Sequence, residues 1–453
     1  MNLTNLTLCF PLPSSSSSRS VLAVSSISTE QLQKNHIVVK VDRFGWSANN
    51  VTYQALGEHP HFRYYDFHPA PAAAPTSESE SVSPQTHGVL PVWGFGTVIA
   101  SAHPKLIVGE RLYGYFAPAR YLVLPIEEKD VNKYSIVHNQ ILRCSTDPLY
   151  SPETEDLAML YRPSFWTSYW CEDWLARSQY RSGCEYILIS NASSKTAYCL
   201  AYCVRKRVAS GTNIVIIGLT SKGTTVFTKK LGLYHEVYDY DSFLSTPGTS
   251  FHENSQNKSK GKASRWIYID ISGNQALNTR IYTHFASPYT TPTLVAAVSL
   301  GMTNPAPEAT DIKEIEWSTN IDPNAPNTQS QSQSQSQSQS QSQSQSQSQS
   351  QSQSQSQSLP PQNSSTSSLV GFWLIAEQFF LSEWLAIADM EKTAWKALTR
   401  DCIAWVKIEH VWGGDRVKRA YEALIWNTKG LSPDKGLTWS MWDAEDADIR
   451  AKS

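Results

Sequence analysis

The chain has 453 residues, of which 40% are hydrophobic, and its mean hydropathy is −0.36. This composition is typical of a globular protein and excludes a fibrous one, and no apolar run reaches the roughly 18 residues of a membrane-spanning helix. The 38 basic and 40 acidic residues give a formal charge of −2, so no excess charge indicates a nucleic-acid or anionic-membrane partner. The length predicts two or three domains, at about 100–200 residues each.

The seven cysteines are scattered, with no Cys-x-x-Cys pair and an odd total, which indicates reduced, intracellular thiols. Cys199 and Cys203 lie four residues apart on a predicted helix with no His or Cys beside them, so we interpret them as core thiols. We expect a cytoplasmic protein, because Met1 to Ser26 lacks the basic start of a secretory signal. The Ser-rich start with Arg19 leaves an organellar leader as the alternative.

Composition and periodicity divide the chain into five parts. The Gln-Ser alternation from Gln329 to Ser358 buries too little surface to offset its ordering entropy, so we expect disorder there. It is interpreted as an expanded repeat in a surface loop, with a partner-binding tether as the alternative. The predicted parts are a disordered segment 1–30, a β-rich domain 31–150, a nucleotide-binding α/β domain 151–304, a disordered linker 305–368 and a helical, Trp-rich region 369–453 that packs on the core.

The two predicted domains have different strand patterns. Alternating or apolar runs bounded by turn residues predict the strands of the β-rich domain, and these are His36–Asp42, Val92–Ser101 and Leu112–Leu124. In the α/β domain, strands separated by short helices predict a parallel sheet with crossover helices. Those strands are Tyr186–Ser190, Asn213–Ile217, Val237–Tyr240, Trp266–Ile271 and Leu294–Ser299, with helices at Lys195–Arg207 and Thr224–Leu231.

The first strand of the α/β domain runs into Asn191-Ala-Ser-Ser-Lys-Thr196 and then a helix. Doubly wound sheets bind ligands at the carboxyl ends of their strands, and a helix N-terminus with hydroxyls and a lysine favours an anion such as phosphate. The candidates are Asn191, Ser193, Ser194, Lys195 and Thr196. The loop lacks the G-x-G-x-x-G glycines, so an ordinary Ser/Thr helix cap with a solvated lysine remains the alternative.

The second strand ends in Gly218-Leu-Thr-Ser-Lys222. An NAD site usually has an acidic residue here that holds the ribose hydroxyls, and none is present. The hydroxyls of Thr220 and Ser221 and the ammonium of Lys222 suit a 2′-phosphate instead, so a bound dinucleotide is predicted to be NADPH, with Gly218 beside it. A Ser/Thr-Gly turn into the next helix is the alternative.

Four stretches resemble motifs of the medium-chain dehydrogenases/reductases: Val108–Gly114 their Val-Gly-Asp-Arg-Val-x-Gly turn, Val41–Asn50 their first strand and turn, Val92–Val98 their glycine-rich strand, and Leu231–Tyr240 their Leu-Gly-Ala-Asp segment. The closest resemblance is to an uncharacterised family of unknown function related to that superfamily. The sequences shared with it are Ala192–Ala197, Gly218–Ser221 and Gly301–Thr303. The resemblance covers about Gln31 to Thr303 and implies a GroES-like β-rich domain followed by a Rossmann doubly wound parallel-sheet domain.

This chain differs from that superfamily at the positions that bind zinc. Zinc alcohol dehydrogenases carry a Cys and a His-Glu pair where this chain has Ser47, Val92 and Trp93, and the four-cysteine zinc lobe is missing. Without thiolate or imidazole at those positions, we expect no zinc. The resemblance therefore implies the zinc-independent quinone and enoyl reductases, in which NADPH reduces an activated double bond or carbonyl of a small molecule. It also allows a homodimer.

A reductase without metal needs a proton donor, and the resemblance makes Tyr53 the candidate, with a wall tyrosine as the alternative. By the same analogy Asn49 and Asn50 would line the substrate cleft, against the alternative of an Asx turn. Thr167 and Tyr240 are further candidates for cofactor contact. For Asp270 and His284, the sequence favours structural roles over acid/base roles.

Fold does not imply function. A catalytically inactive nucleotide-binding or protein-interaction protein is therefore the alternative to a reductase. A scaffold that uses the Gln-Ser tether and the Trp-rich helices to assemble partners is a third interpretation.

Overall fold

A computed structural model describes residues 1–16, 19–58, 63–73, 81–126, 141–209, 211, 213–245, 263–286, 292–300, 369–371, 384–425 and 431–444. The predicted linker 305–368 and the motif Gly301–Thr303 lie outside these residues. Within them, no helix is long and apolar enough to cross a membrane.

The β-rich part is built around the long strand β3, which pairs with three neighbours. That strand is β3 (His36–Trp46). β5 (Val92–Ser101) runs antiparallel beside most of it, β7 (Tyr121–Pro125) pairs with its start, and β16 (Lys435–Ser440) pairs with its end. The sheet order is β15-β16-β3-β5-β6-β8, with β7 paired to β3. The elements of this part are β3 (His36–Trp46), helix α1 (Ala48–Ala55), β4 (His87–Gly88), β5 (Val92–Ser101), β6 (Arg111–Phe116), β7 (Tyr121–Pro125), β8 (Ile141–Arg143), β15 (Lys407–Trp412) and β16 (Lys435–Ser440).

The first 30 residues differ from the expected disordered segment. They form a hairpin of β1 (Asn2–Pro11) and β2 (Val21–Ser28), and the end of β1 pairs with β4. The Phe10 ring is fully buried, with its centroid 4.6 Å from that of Tyr421 and 5.9 Å from that of Trp46. The hairpin is therefore held by apolar contacts with the far C-terminal end of the sequence, which no local pattern indicates.

The α/β part is a parallel sheet of six strands in the order β11-β10-β9-β12-β13-β14. Numbered by sequence this order is 3-2-1-4-5-6, the order of dinucleotide-binding Rossmann domains, whose ligand crevice lies where the order reverses. The predicted α/β fold class, a β-rich domain plus a Rossmann domain, is confirmed. The strands are β9 (Tyr186–Ile189), β10 (Val215–Thr220), β11 (Glu236–Asp239), β12 (Arg265–Asp270), β13 (Thr293–Ser299) and β14 (Leu369–Gly371).

Both faces of this sheet are covered. On one face, Ile187 and Ile189 of β9 belong to the same core cluster as the buried face of helix α4 (Lys195–Val208). On the other face, Leu188 packs with Leu277 and Ile281 of helix α7 (Gln275–Ala286). A fully buried apolar strand is typical of such parallel sheets. The helices of this part are α2 (Glu155–Arg177), α3 (Gln179–Gly183), α4 (Lys195–Val208), α5 (Thr225–Lys230), α6 (Ser242–Ser245) and α7 (Gln275–Ala286).

The C-terminal part is less helical than expected and belongs to both sheets. It contains α8 (Trp384–Cys402) and α9 (Gly414–Ile425), but β14 extends the Rossmann sheet, and β15 and β16 extend the β-rich one. The α/β part thus extends beyond the expected boundary at residue 304, and the expected linker lies in the sequence between its fifth and sixth strands. Because β14 has only three residues, its sequence pattern is too short to predict a strand.

All seven cysteines are buried and free. Cys199 and Cys203 lie on the face of α4 that enters the core, so the structure places them as core thiols.

Candidate cofactor site

Hydrogen bonds join the carboxyl ends of the neighbouring strands β9 and β12. The buried Ser190 hydroxyl donates to Asp270 Oδ1 at 2.9 Å and accepts from the Ile271 amide at 2.8 Å. The same carboxylate accepts from the Ser272 amide at 3.0 Å and from the Asn278 side-chain amide at 2.7 Å. Asp270 therefore has the structural role favoured by the sequence.

The loop after β9 turns sharply and packs against β10. Asn191 adopts the left-handed conformation with φ +50°, which non-glycine residues rarely take. The next residue, Ala192, is buried, and its amide donates to the Leu219 carbonyl at 2.8 Å. The Tyr234 hydroxyl donates to the Ala192 carbonyl at 2.9 Å. The loop is thereby fixed in place over the end of the neighbouring strand.

A glycine permits this close packing. A Cβ atom at Gly218 would lie 2.8 Å from the Ala192 Cβ and 2.9 Å from Tyr234 Cδ1, closer than real contacts allow. Gly218 thus takes part in the site by letting the first loop lie on β10.

The hydroxyl groups of the two predicted loops meet. The Thr220 hydroxyl donates to the Ser193 hydroxyl at 3.2 Å and lies 2.6 Å from that of Thr224. Ser221 Oγ lies 2.9 Å from the same Thr224 oxygen. The structure therefore brings Ser193, Thr220 and Ser221 together, as expected for the ends of adjacent parallel strands.

Two residues at the start of α4 are used by the fold. Ser194 is the N-cap, and its hydroxyl accepts from the Ala197 amide at 3.2 Å. Thr196 donates from its hydroxyl to Ser164 of α2 at 3.1 Å. The helix-cap alternative thus describes the Ser194 side chain, while the first amides of α4 lack intrahelical acceptors, as at any helix N-terminus.

The Lys195 side chain reaches the β-rich sheet. Its Nζ donates to the Lys435 carbonyl of β16 at 2.8 Å and lies 5.7 Å from the centre of the Tyr161 ring. Burial lowers the pKa of Lys195 to about 8, because removing the ammonium from water disfavours its charge. The Lys195 ammonium is thus bound to β16, and its contact with a pyrophosphate stays a prediction.

Lys222 and Tyr240 border the site on the side of β10 and β11. Lys222 is exposed in the turn after β10, and no ion pair to it occurs in the part of the chain that the structure describes. Burial raises the pKa of Tyr240 to about 12, although the neighbouring backbone of Asn191 opposes the rise. Lys222 is thus an exposed cation at this end of the sheet.

Thr167 lies on α2, which packs along α4. Its hydroxyl donates to the Pro163 carbonyl of its own helix at 3.2 Å. The next residue, Ser168, donates to the Thr196 carbonyl at 2.9 Å. Thr167 therefore directly precedes, on α2, the residue that contacts the start of α4, and it is half-buried.

Tyr53 lies in a cluster of aromatic rings in the β-rich part. Its ring centroid is 4.6 Å from that of Tyr64 and 5.7 Å from that of Tyr115. Trp93 packs on Tyr115 at 4.9 Å and reaches Trp166 of α2 at 6.0 Å. The cluster thus extends from Tyr53 to the residue beside Thr167, and only 5% of Tyr53 is exposed.

Burial raises the pKa of the Tyr53 hydroxyl above its usual value. The neighbouring side chains of Trp93, Tyr115 and Asn49 oppose this rise. Asn50 has a structural role, because its side chain accepts from the Ser47 amide at 2.9 Å and donates to the Pro91 carbonyl at 3.2 Å.

Two residues that the sequence analysis missed shape the site, and His284 lies outside it. The Tyr234 hydroxyl donates to the first loop, and the Tyr115 ring centroid lies 5.7 Å from that of Tyr53. The only sequence signal for Tyr115 is its place in a predicted strand with alternating tyrosines. His284 packs its ring 5.4 Å from that of Phe285. Among the described residues no group of three His, Cys, Asp or Glu side chains could hold a metal ion.

Several solved structures are similar over nearly the whole chain. CurA from Vibrio vulnificus in complex with NADPH is 11% identical with a TM-score of 0.48, and 97% of this chain and 99% of that chain are covered. A mutant enoyl thioester reductase from Candida tropicalis is 12% identical with a TM-score of 0.47, covering 97% and 100%. The yhdH oxidoreductase from Salmonella enterica in complex with NADP is 12% identical with a TM-score of 0.46, covering 97% and 99%.

No curated protein matches the sequence. Residues 44–368 match the family described as Protein of unknown function (DUF2855). This confirms the uncharacterised family suggested by the sequence motifs, and the chain belongs to it.

Proposed function

We propose that this chain binds NADPH at the carboxyl ends of β9 and β10 and is an oxidoreductase that reduces an activated double bond or carbonyl of a small molecule. The observation that carries the proposal is the junction of the two hydroxyl-rich loops, where Thr220 meets Ser193 at 3.2 Å. It lies at the ligand crevice of a Rossmann sheet with the strand order 3-2-1-4-5-6.

The residues present fit a dinucleotide phosphate. The first two amides of α4, those of Lys195 and Thr196, would donate to an anion at the positive end of the helix, whereas the third, that of Ala197, donates to Ser194. Gly218 and the left-handed Asn191 let the loop backbone lie close to β10. The hydroxyl of Ser193 would contact the pyrophosphate. Lys195 would contribute through its amide at the helix start and not through its ammonium, because its Nζ binds Lys435.

The choice of NADPH over NADH rests on the end of β10. Thr220, Ser221 and Lys222 stand where an acidic residue would hold the ribose of NAD. Lys222 is exposed and would give a 2′-phosphate a charge-assisted hydrogen bond. Tyr240, over the first loop, would form the wall beside the adenosine half.

NADPH supplies a hydride, and the product needs one proton as well. Tyr53 is the proposed donor of that proton, and its phenolate would be the conjugate base. Thr167 and Trp166 on α2 would border the nicotinamide, because Trp166 packs on the Trp93 ring of the Tyr53 cluster at 6.0 Å. The proposed reaction uses no zinc.

A second candidate function is nucleotide binding without catalysis. The observation that favours it is the close packing of Tyr53 under Tyr64 and Tyr115, with 5% of Tyr53 exposed. A proton donor must reach its substrate, so a ring that stays covered would leave a nucleotide-binding protein with no reaction.

Titration of the full chain with NADPH and with NADH tests the cofactor, using nicotinamide fluorescence and thermal unfolding. A ligand that binds the folded state raises its apparent stability. We expect NADPH to bind more tightly than NADH. Binding followed by oxidation of NADPH in the presence of quinones or enones supports the oxidoreductase, whereas binding without oxidation supports the second candidate. No binding of either nucleotide at millimolar concentration would overturn both.

A further inference from the structure

Strand β3 of the β-rich sheet carries a lysine that is almost closed to water. Lys40 pairs with Tyr121 of β7 on one side and with Thr97 of β5 on the other, and only 5% of Lys40 is exposed. Its neighbours Val39 and Val41 are buried as well. Lysine is almost never buried to this extent unless its ammonium is paired with an acceptor.

The nearby carboxylates do not pair with this ammonium. Among the residues that the structure describes, the Lys40 side chain makes neither a hydrogen bond nor an ion pair. Asp42, on the same strand, accepts from Arg111 at 2.7 Å and from the Thr97 hydroxyl at 3.3 Å. Asp443 is 70% exposed and lies 3.8 Å from Arg120. The positive charge of Lys40 is therefore not balanced by a carboxylate of the described residues.

The Lys40 ammonium packs on an aromatic ring instead. Its Nζ lies 4.1 Å from the centre of the Trp442 ring. The Trp442 indole nitrogen donates to the Val41 carbonyl at 2.8 Å, and the Tyr121 ring packs edge-on with its centroid 5.2 Å away. A cation–π contact attracts the ammonium but compensates only part of its lost hydration. The ring offers no lone pair to the three N–H donors of the ammonium.

A second cation lies against the same ring. The Arg120 guanidinium is 5.2 Å from the centre of the Trp442 ring. Its Nε donates to the Met441 carbonyl at 3.1 Å, and its side chain is 26% exposed. The carboxylate beside it, that of Asp443, is largely in water. Two cations thus share one ring, and the more deeply buried of them lacks an acceptor.

We propose that Lys40, Arg120 and Trp442 form an anion site that takes a phosphate group. Phosphate supplies what the two cations need, because its oxygens accept charge-assisted hydrogen bonds from both an ammonium and a guanidinium. Its charge of about −1.5 to −2 at neutral pH also matches two cations better than the single charge of a carboxylate does. Since so little of Lys40 is exposed, only free phosphate or the terminal group of a small phosphate ester fits the site.

Thermal unfolding of the full chain in increasing inorganic phosphate tests the site, with sodium chloride holding the ionic strength constant. The quantity measured is the Tm of the wild type minus that of Lys40→Met. General effects of phosphate, and phosphate bound at the candidate cofactor site, cancel in this difference. A ligand of the folded state raises its stability, so we expect the difference to grow by about 2 °C or more once the site is filled.

The matched control is Lys34→Met. Lys34 is exposed just before β3, and the Tm of the wild type minus that of Lys34→Met should stay constant over the same phosphate range. A difference for Lys40→Met that is equally constant would overturn the proposal. If Lys40→Met does not fold, Arg120→Gln takes its place, and a constant difference there would overturn the proposal as well.

Two further titrations identify the ligand. Acetate at the same ionic strength should give less than half of the phosphate response, and an equal response would overturn the assignment to phosphate. Glycerol phosphate should act as phosphate does if the site takes the end of an ester, whereas a response to inorganic phosphate alone identifies the free ion. The comparison leaves every residue of the candidate cofactor site unchanged, so it stands whether or not NADPH binds.

Discussion

The Lys195 ammonium donates a hydrogen bond of 2.8 Å to the backbone carbonyl of Lys435. Lys195 begins the helix that follows the first loop of the candidate cofactor site, and Lys435 begins β16 in the β-rich sheet. One half-buried charge therefore links the two parts of the molecule next to the candidate cofactor site. A buried ammonium is costly unless its hydrogen bonds are satisfied, so this contact constrains how the two parts pack.

Lys195→Met should change how stability depends on pH. The pKa of Lys195 is about 8 in the folded chain against 10.5 for an ordinary lysine. Between these values the unfolded chain binds the proton more strongly, so this residue makes the folded state more stable as pH rises from 8 to 10.5. The total effect is at most about 3 kcal/mol. Urea unfolding at pH 7.5, 9 and 10 measures it.

The matched control is Lys206→Met on the same helix, where the side chain is 55% exposed. The free energy of unfolding of the wild type minus that of Lys195→Met should increase as pH rises from 8 to 10.5. The free energy of unfolding of the wild type minus that of Lys206→Met should stay constant over the same range. Parallel pH curves for wild type and Lys195→Met would contradict a buried, weakly basic Lys195.

Lys222→Ala should weaken NADPH binding about tenfold and leave NADH binding nearly unchanged. Only NADPH carries the 2′-phosphate that an exposed ammonium after β10 would hold. The loss should shrink at high salt, because an exposed charge is screened. Fluorescence titration with both nucleotides measures the two dissociation constants.

Lys229→Ala is the control for the general loss of positive charge. Lys229 is also exposed and lies on α5, the helix that follows Lys222. It should affect neither nucleotide. Equal losses for NADPH and NADH in Lys222→Ala would overturn the assignment of Lys222 to the 2′-phosphate.

Most strands of the two central parts could be predicted to within a few residues, because their signal is local, but the predicted strand Leu112–Leu124 is in fact two strands, β6 and β7. The apolar run of β9 and the alternation at the start of β3 are visible in single stretches of sequence. The added strands could not be predicted in this way. β16 pairs Trp439 with Phe44 across nearly 400 positions, and tertiary contacts of that kind leave no periodic pattern.

In the candidate site, too, the features set by local sequence were predictable and those set by distant contacts were not. The meeting of Ser193 with Thr220 was predictable, because adjacent parallel strands end at one edge of the sheet. The partner of Lys195 was not, since it is a backbone carbonyl on a strand of the other sheet. For Tyr53 the resemblance supplied a residue, but its burial against Tyr64 and Tyr115 depends on side-chain packing that the sequence does not specify.

Gly218→Ala should destabilise the folded chain by about 1–3 kcal/mol, because the added methyl overpacks the contact with Ala192 and Tyr234. The control is Gly223→Ala, where an added Cβ would meet no atom within 4 Å. Chemical unfolding of both variants gives the comparison. Equal stability of the two would mean that the first loop does not lie on β10 as described.

Arg162→Met should cost about 3–5 kcal/mol of stability, because it leaves the buried carboxylate of Asp147 without its cation. The two side chains are 0% and 1% exposed, and Arg162 Nη2 donates to Asp147 Oδ1 at 2.7 Å. The Arg162 guanidinium also lies 4.7 Å from the centre of the Trp166 ring, so the pair supports α2 next to the aromatic cluster. Asp147→Asn combined with Arg162→Met removes both charges and should recover much of the loss. A double variant as unstable as the sum of the two single variants would show that the pair is not coupled.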